Sequence, residues 1–346
     1  MIKSDSLNFY EDSLNYILEV QSPDGSICWE TNKKLDPWDH IEAGMGLIIG
    51  GKEKEAKLAF TWLKENQEED GSWFAEYRNG KPSCQRKESN FSAYIATGLW
   101  HYYLITKNKC FLEEMFPTLD LAMNFVISLQ TSFGDIQWAK ENNKILDDSL
   151  ITACSSIYKS LDCAISIYKI LEHDPKHLVK AKQLLKICLL DNPQRFDRSW
   201  KSKSRYSMDW YYPVMCGIVI NEDAKKRIAT RWDEFIVDGI GCKCVQEEPW
   251  VTIAESSELV VALVSIGEIK KAKEVFSWLH QFKDKKDNLY WTGYVYTDDK
   301  YWPVEKPTWT AGAVLLAADS LFKFTEGSKL FLEEWGDRDY EGIEQS

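Results

Sequence analysis

The chain has 346 residues, 44% hydrophobic and 28% charged, with a formal net charge of -12. That length suffices for one large core, and the acidic balance argues against sequence-independent nucleic-acid binding, which needs a basic surface. The N-terminus, MIKSDSLNFYEDSL, lacks the apolar stretch of a secretory signal, and no uncharged apolar run reaches the ~18–20 residues that span a bilayer, so a cytoplasmic protein is expected.

In chain order, two kinds of helical segment alternate. Phe9 to Val20 is amphipathic near a 3.6-residue period, as are Glu53 to Asn66, Leu119 to Leu129, Leu178 to Leu190, Ala224 to Ile236 and Ile269 to Phe282. Between them lie Ala43 to Ile49, Phe91 to Gly98, Leu150 to Ser155, Val214 to Ile220, Leu259 to Val264 and Ala311 to Ala317, nearly free of charge and rich in Gly, Ala, Ser and Cys. The first set needs one solvated face and the second none, which places them in an outer and an inner layer. Between Asp162 and Lys203 an extra helical stretch is expected to disturb the alternation.

Each inner segment follows a loop rich in aromatic and acidic residues. These openings fall near Pro37, Asn90, Asp147, Asp209, Trp250 and Lys306, at intervals of 53, 57, 62, 41 and 56 residues. Such a period is one helical hairpin with its loops, and six hairpins make a solenoid or a closed ring. The fold class expected is all-α, a single (α/α)6 toroid over residues 1–335 followed by an acidic tail at 336–346. In a ring all six loops open onto one face, so distant side chains converge on one cavity.

The carboxylates entering apolar helices at those openings are the candidates for chemistry. Asp39 and Glu42 share a helical face, and Asp36 before Pro37 reads as the cap of that helix. Asp209 is flanked by Trp210, Tyr211 and Tyr212 in Ser207–Pro213, a cap or a desolvated general acid. Glu255 and Glu258 share a face ahead of Leu259–Val264, either ion-paired or functional. Glu305 is a further acid or base candidate. Trp38, Trp250, Trp291, Tyr294, Trp302 and Trp309 join Trp210 and Tyr211 as candidate substrate-binding rings, able to stabilise a cation or stack on a sugar, or else to fill the core. The nine cysteines read as reduced thiols, the five histidines form no zinc motif, and no phosphate loop or serine-nucleophile elbow occurs, so neither metal nor cofactor is expected.

The turns also repeat. Gln21-Ser-Pro-Asp-Gly-Ser-Ile-Cys-Trp29 parallels Gln67-Glu-Glu-Asp-Gly-Ser-Trp73, with degenerate copies at Gln130–Trp138 and Gln281–Trp291. Asp-Gly forms a tight turn at positive φ, and a following Trp can cover a helix end. These repeats resemble the Gln-Trp motif of the terpenoid cyclase and protein prenyltransferase superfamily, whose members are α/α toroids. The resemblance implies acid-initiated carbocation chemistry on an isoprenoid, with Asp147 at the proton-donor position of an Asp-x-Asp-Asp motif, although Ile145 stands where that motif begins with an acid. Similar six-hairpin barrels occur in glycosidases and sugar epimerases, which leaves two alternatives: paired Asp and Glu residues working on a carbohydrate, or a non-catalytic binding toroid. A small-molecule substrate is the expected partner.

Overall fold

The structure, a computed structural model, describes residues 4–338. The tail expected at 336–346 therefore lies outside the described residues from 339 onward. Thirteen α-helices are present among them: α1 (Glu11–Val20), α2 (Pro37–Ile49), α3 (Glu53–Glu65), α4 (Ser89–Thr106), α5 (Lys109–Ser128), α6 (Ile151–Ile170), α7 (Lys176–Asp191), α8 (Ser207–Met215), α9 (Asn221–Thr230), α10 (Trp232–Phe235), α11 (Ile253–Ser265), α12 (Ile269–Leu279) and α13 (Thr308–Phe322). Six of them, α2, α4, α6, α8, α11 and α13, each pack on the next, and α13 returns to α2. That is the closed inner ring of an all-α, six-hairpin toroid. Helices α3, α5, α7, α9 and α12 lie outside the inner helix before each of them, and α1 closes the outer layer by packing on α13 and α2.

The layers follow from composition. Every residue of α2 is buried, and so is nearly every residue of α11 and α13, whereas α3 buries only Ala56, Ala59, Phe60, Trp62 and Leu63. The extra helical stretch expected between Asp162 and Lys203 amounts to short 3-10 turns at Pro193–Arg195 and Lys203–Arg205, which leave the alternation of layers intact. Asp162 belongs to α6, α7 is an ordinary outer helix, and the added length is the loop at 192–206. The fourth inner helix also begins earlier than the apolar run implied, at Ser207, because Gly217 turns the chain at φ +81° in the middle of that run.

The repeated Gln turns hold one hairpin to the next. The Nε2 of Gln21 donates to the Gly25 carbonyl (3.2 Å) within its own turn and to the Glu55 carbonyl (2.9 Å) on α3. Gln67 does the same with Gly71 and Thr118, and Gln130 with Gly134 and Ala181. Gly71 sits at φ +89° with its α-carbon against α5, where a side chain's first atom would fall 2.1 Å from the Leu121 carbonyl oxygen. Trp73 covers the end of α3, its indole N–H donating to the Leu63 carbonyl. The motif is thus a latch between neighbouring outer helices, and any stack of such hairpins has use for it, whatever its chemistry.

Among the described residues, ten short strands lace the loops at the N-terminal ends of the inner helices: β1 (Glu76–Arg78), β2 (Lys81–Cys84), β3 (Lys87–Glu88), β4 (Ala139–Glu141), β5 (Lys144–Leu146), β6 (Ile236–Val237), β7 (Gly241–Cys242), β8 (Trp250–Thr252), β9 (Gly293–Val295) and β10 (Lys300–Tyr301). The sheet β3-β4-β5 joins the loops before α4 and α6, and β8-β9-β10 joins those before α11 and α13. The other end of the ring is covered by the segment after α13. Asp162 on α6 accepts the backbone N–H groups of Trp335 (2.9 Å) and Gly336 (2.8 Å), while Lys159 and Lys182 neutralise it.

Candidate active site

Three of the predicted carboxylates occupy one structural position. Asp39, Asp209 and Glu255 are each the third residue of an inner helix, α2, α8 and α11 respectively. Because all inner helices begin at the laced face, these three side chains ring one mouth, with α2 and α8 on opposite sides. One helical turn deeper is a second ring. Glu42, Tyr94, Tyr212 and Glu258 are each the sixth residue of their helices.

Local chemistry separates the two levels. In the upper ring, Asp36 caps α2, accepting the Asp39 backbone N–H at 2.9 Å. Lys34 reaches Asp36 at 2.9 Å and Asp39 at 3.8 Å. Burial pushes the Asp39 carboxyl well above the usual carboxylate range, and the adjacent Asp36 charge pushes it further, outweighing Lys34. Burial likewise raises Asp209 to about 6, partly offset by the Thr152 hydroxyl, which donates to Asp209 Oδ1 at 2.6 Å. Asp209 Oδ2 and Glu255 Oε2 are buried without a hydrogen-bond partner. Two carboxylate oxygens without a partner at the same level of the ring are free to accept hydrogen bonds there.

The lower ring is satisfied internally. The hydroxyls of Tyr211 and Tyr212 donate to the two oxygens of Glu258, both at 2.6 Å, and Tyr94 donates to Glu42 at 3.2 Å. Burial raises Glu258 to about 8 despite those tyrosines, and burial together with Glu258 raises Glu42. Trp38 stacks on Tyr94 with ring centroids 3.9 Å apart and approaches Tyr212 at 6.3 Å. Below this floor only about 10 Å³ of free space remains, bounded by Lys159, Met215 and Phe331. The mouth is therefore blind. Larger cavities of about 420 and 530 Å³ open at the far end of the ring and contain none of the candidate carboxylates, so size alone is a poor guide to the chemistry here.

An aromatic wall connects the Asp39 side to the Glu255 side. Lys34 lies 4.6 Å from the Trp29 ring, Trp29 donates to Glu305 Oε2 at 3.0 Å, and Trp29 tilts against Trp309 at 5.9 Å. The chain then runs back through Val304 and Trp302 to Trp250, whose indole N–H donates to the Trp302 carbonyl at 2.7 Å. Trp250 opens the strand that leads into α11 and Glu255.

Other predicted residues lie elsewhere. Asp147 is a surface group, its side chain 74% exposed, and its hydrogen bond with Arg198 holds the carboxyl below the usual range. It keeps no proton near neutral pH and cannot be the strong acid of a cyclase. Trp210 is core, stacked on Phe235 with its N–H donating to the Arg227 carbonyl. Tyr294 and Trp291 are engaged around the β9–β10 hairpin: Tyr294 donates to Asp299 at 2.7 Å, and Trp291 stacks on Tyr301 beneath Lys306. The tyrosines of the lower ring, Tyr94 and Tyr212, were not singled out by charge or motif. Their shared sixth position, visible once helix starts are known, is the signal that finds them.

No protein-family model matches the sequence. Among solved structures the fold is similar to a glycosidase bound to glucose (TM-score 0.71, 12% identity, 92% of this chain and 97% of that one) and a D-mannose isomerase (0.69, 11%, 93% and 99%). It is also similar to the GH63 mannosylglycerate hydrolase of Thermus thermophilus (0.68, 11%, 89% and 99%). These likenesses establish the toroid alone. Over 315 residues, 91% of this chain and 86% of its relative, the sequence is 41% identical to the MMP endo-(1,4)-3-O-methyl-alpha-D-mannosidase of Mycolicibacterium hassiacum. That identity overturns the resemblance to terpenoid cyclases and prenyltransferases, together with the isoprenoid chemistry it implied; the shared Gln turns reflect shared architecture. The chain is an enzyme, and it belongs to the family of this endo-mannosidase.

Proposed function

We propose that this chain is an endo-acting glycoside hydrolase that cleaves α-(1→4) bonds between mannose units bearing 3-O-methyl groups, with Asp39 as proton donor and Glu255 as base. The observation that carries this assignment is the placing of Asp39 and Glu255 at equivalent positions of α2 and α11, one carboxyl holding its proton and the other with a free oxygen. Asp39 protonates the glycosidic oxygen as the bond breaks, and Glu255 takes a proton from the water that attacks the anomeric carbon. Helix α13 stands between α2 and α11. The two carboxyls thus come from helices that are not neighbours, as an acid and a base acting from different sides of one bond require. Asp209 faces them from α8 with Oδ2 free to accept a sugar hydroxyl.

Incubating the purified protein with a 3-O-methylated α-(1→4)-oligomannoside and following products by proton NMR tests the proposal. Internal cleavage is expected, the first anomer to appear reporting inversion or retention, and Asp39→Asn and Glu255→Gln should each slow it by about 10²- to 10⁴-fold. Undiminished cleavage by both variants would remove the assignment.

A further inference from the structure

Among the described residues, Tyr301 (36%), Trp302 (56%) and Val304 (76%) form the densest run of exposed large apolar side chains, the other close pair being Ile187 and Leu190 on the outer helix α7. The stretch is held rigidly. Strand β9 pairs with β8 and β10, and the Trp302 N–H donates to the Gly293 carbonyl at 3.0 Å. The Trp250 indole lies across Gly293, where a side-chain carbon would come within 2.4 Å of its Nε1, and its N–H fixes the Trp302 carbonyl. The two indoles meet edge to face, 5.0 Å apart at 74°. Alternation along these strands puts Val251 and Tyr294 on the side facing Gly241, which lies against Leu279 of the outer helix α12, and Phe282 just beyond that helix. Trp250 is thereby turned away from the outer layer, and it carries Trp302 with it.

A rigid aromatic face left in water is a binding element rather than core. Its neighbours indicate the ligand. Glu305 follows Val304 and binds Trp29, so the exposed tip continues directly into the wall between Asp39 and Glu255. An unmethylated α-(1→4)-linked mannose presents free hydroxyls at positions 2, 3 and 6 and gains little from an indole edge and a valine, whereas an O-methyl group replaces a donor with apolar surface. We infer that the Trp302–Val304 tip is the element that selects O-methylated over unmethylated mannosides, Trp302 and Val304 enclosing a methoxy group of a sugar beyond the cleaved bond. This rests on the proposed hydrolase reading for its substrate class, but binding alone can test it.

Calorimetric titration of wild type and Trp302→Ala with matched methylated and unmethylated α-(1→4)-oligomannosides decides the matter. Burying one methyl is worth roughly a fourfold change in affinity, so wild type should prefer the methylated ligand by at least about fourfold. In Trp302→Ala the ratio should fall to near one; Val304→Ser should lower it in part, and Trp302→Phe should keep most of it. Equal weakening toward both ligands, or no wild-type preference, overturns the inference. Methyl-selective binding lost in Trp302→Ala supports it even if no bond is cleaved, an outcome that would count against the hydrolase reading alone.

Discussion

Asp36 and Asp39 stand one helical turn apart with Lys34 between their carboxyls, and the three groups carry two protonation roles. Asp36 caps the helix and takes the closer contact with Lys34, so the proton resides on Asp39. Asn caps helices as well as Asp, so Asp36→Asn leaves α2 in place while removing a negative charge beside Asp39. The Asp39 carboxyl should then lose its proton more readily. In a pH profile of kcat/KM the alkaline limb should move to lower pH, with circular dichroism unchanged; a limb that stays in place would mean that Asp36 does not hold the Asp39 proton.

Asp209 links the site to stability. Its folded value of about 6 lies above the ordinary 3.8, so between those values the folded chain binds more protons than the unfolded one. Stability associated with this group is complete below about 4 and is lost as pH rises through about 6. A difference of that size corresponds to roughly 3 kcal/mol. Asp209→Asn, whose amide oxygen can still accept from Thr152, should flatten the fall in Tm across this interval and melt higher than wild type at pH 8. A parallel pH dependence in both proteins would refute this.

The latches should be additive local stabilisers. Gln67→Ala strands two carbonyls, those of Gly71 and Thr118, and should cost about 1–3 kcal/mol in urea denaturation. Gly71→Ala should be worse, because its added methyl meets the backbone of α5 and its φ is unfavourable. A smaller loss for Gly71→Ala than for Gln67→Ala would contradict the close approach described here.

At the far end of the ring, burial alone would raise Asp162, but Lys159 and Lys182 outweigh it and hold the carboxyl below its ordinary range. Asp162→Ala strands two backbone N–H groups and takes the buried counter-charge from Lys159 and Lys182, which keep only the Glu333 carbonyl and Glu334, at a cost of about 3–5 kcal/mol. The segment around Trp335 should then become protease-sensitive, which limited digestion with mass spectrometry reads directly. Protection equal to wild type would show that the segment is held by other contacts.

Much of this protein is written locally. Charge-free inner segments against amphipathic outer ones specify two helical layers, because a helix polar on one face cannot be buried all round. The recurrence of aromatic-acidic loops marks the face on which side chains gather, and Asp39, Glu42, Asp209, Glu255 and Glu258 follow from carboxylates entering apolar runs. The Gln turns were legible as structure, but they say nothing about chemistry, which is why they pointed toward the wrong superfamily. Asp147 misled for a related reason: its sequence context matches an acidic motif, whereas its charge state depends on Arg198, fifty-one residues away.

What local sequence determined, then, was which segments must be inside and which carboxylates stand at their ends. Tertiary structure alone decided which of those carboxylates keep a proton and which keep a free oxygen. Desolvation and the distance to Asp36, Lys34, Thr152 or Tyr212 set those properties, and these distances exist only when helices remote in sequence close into a ring.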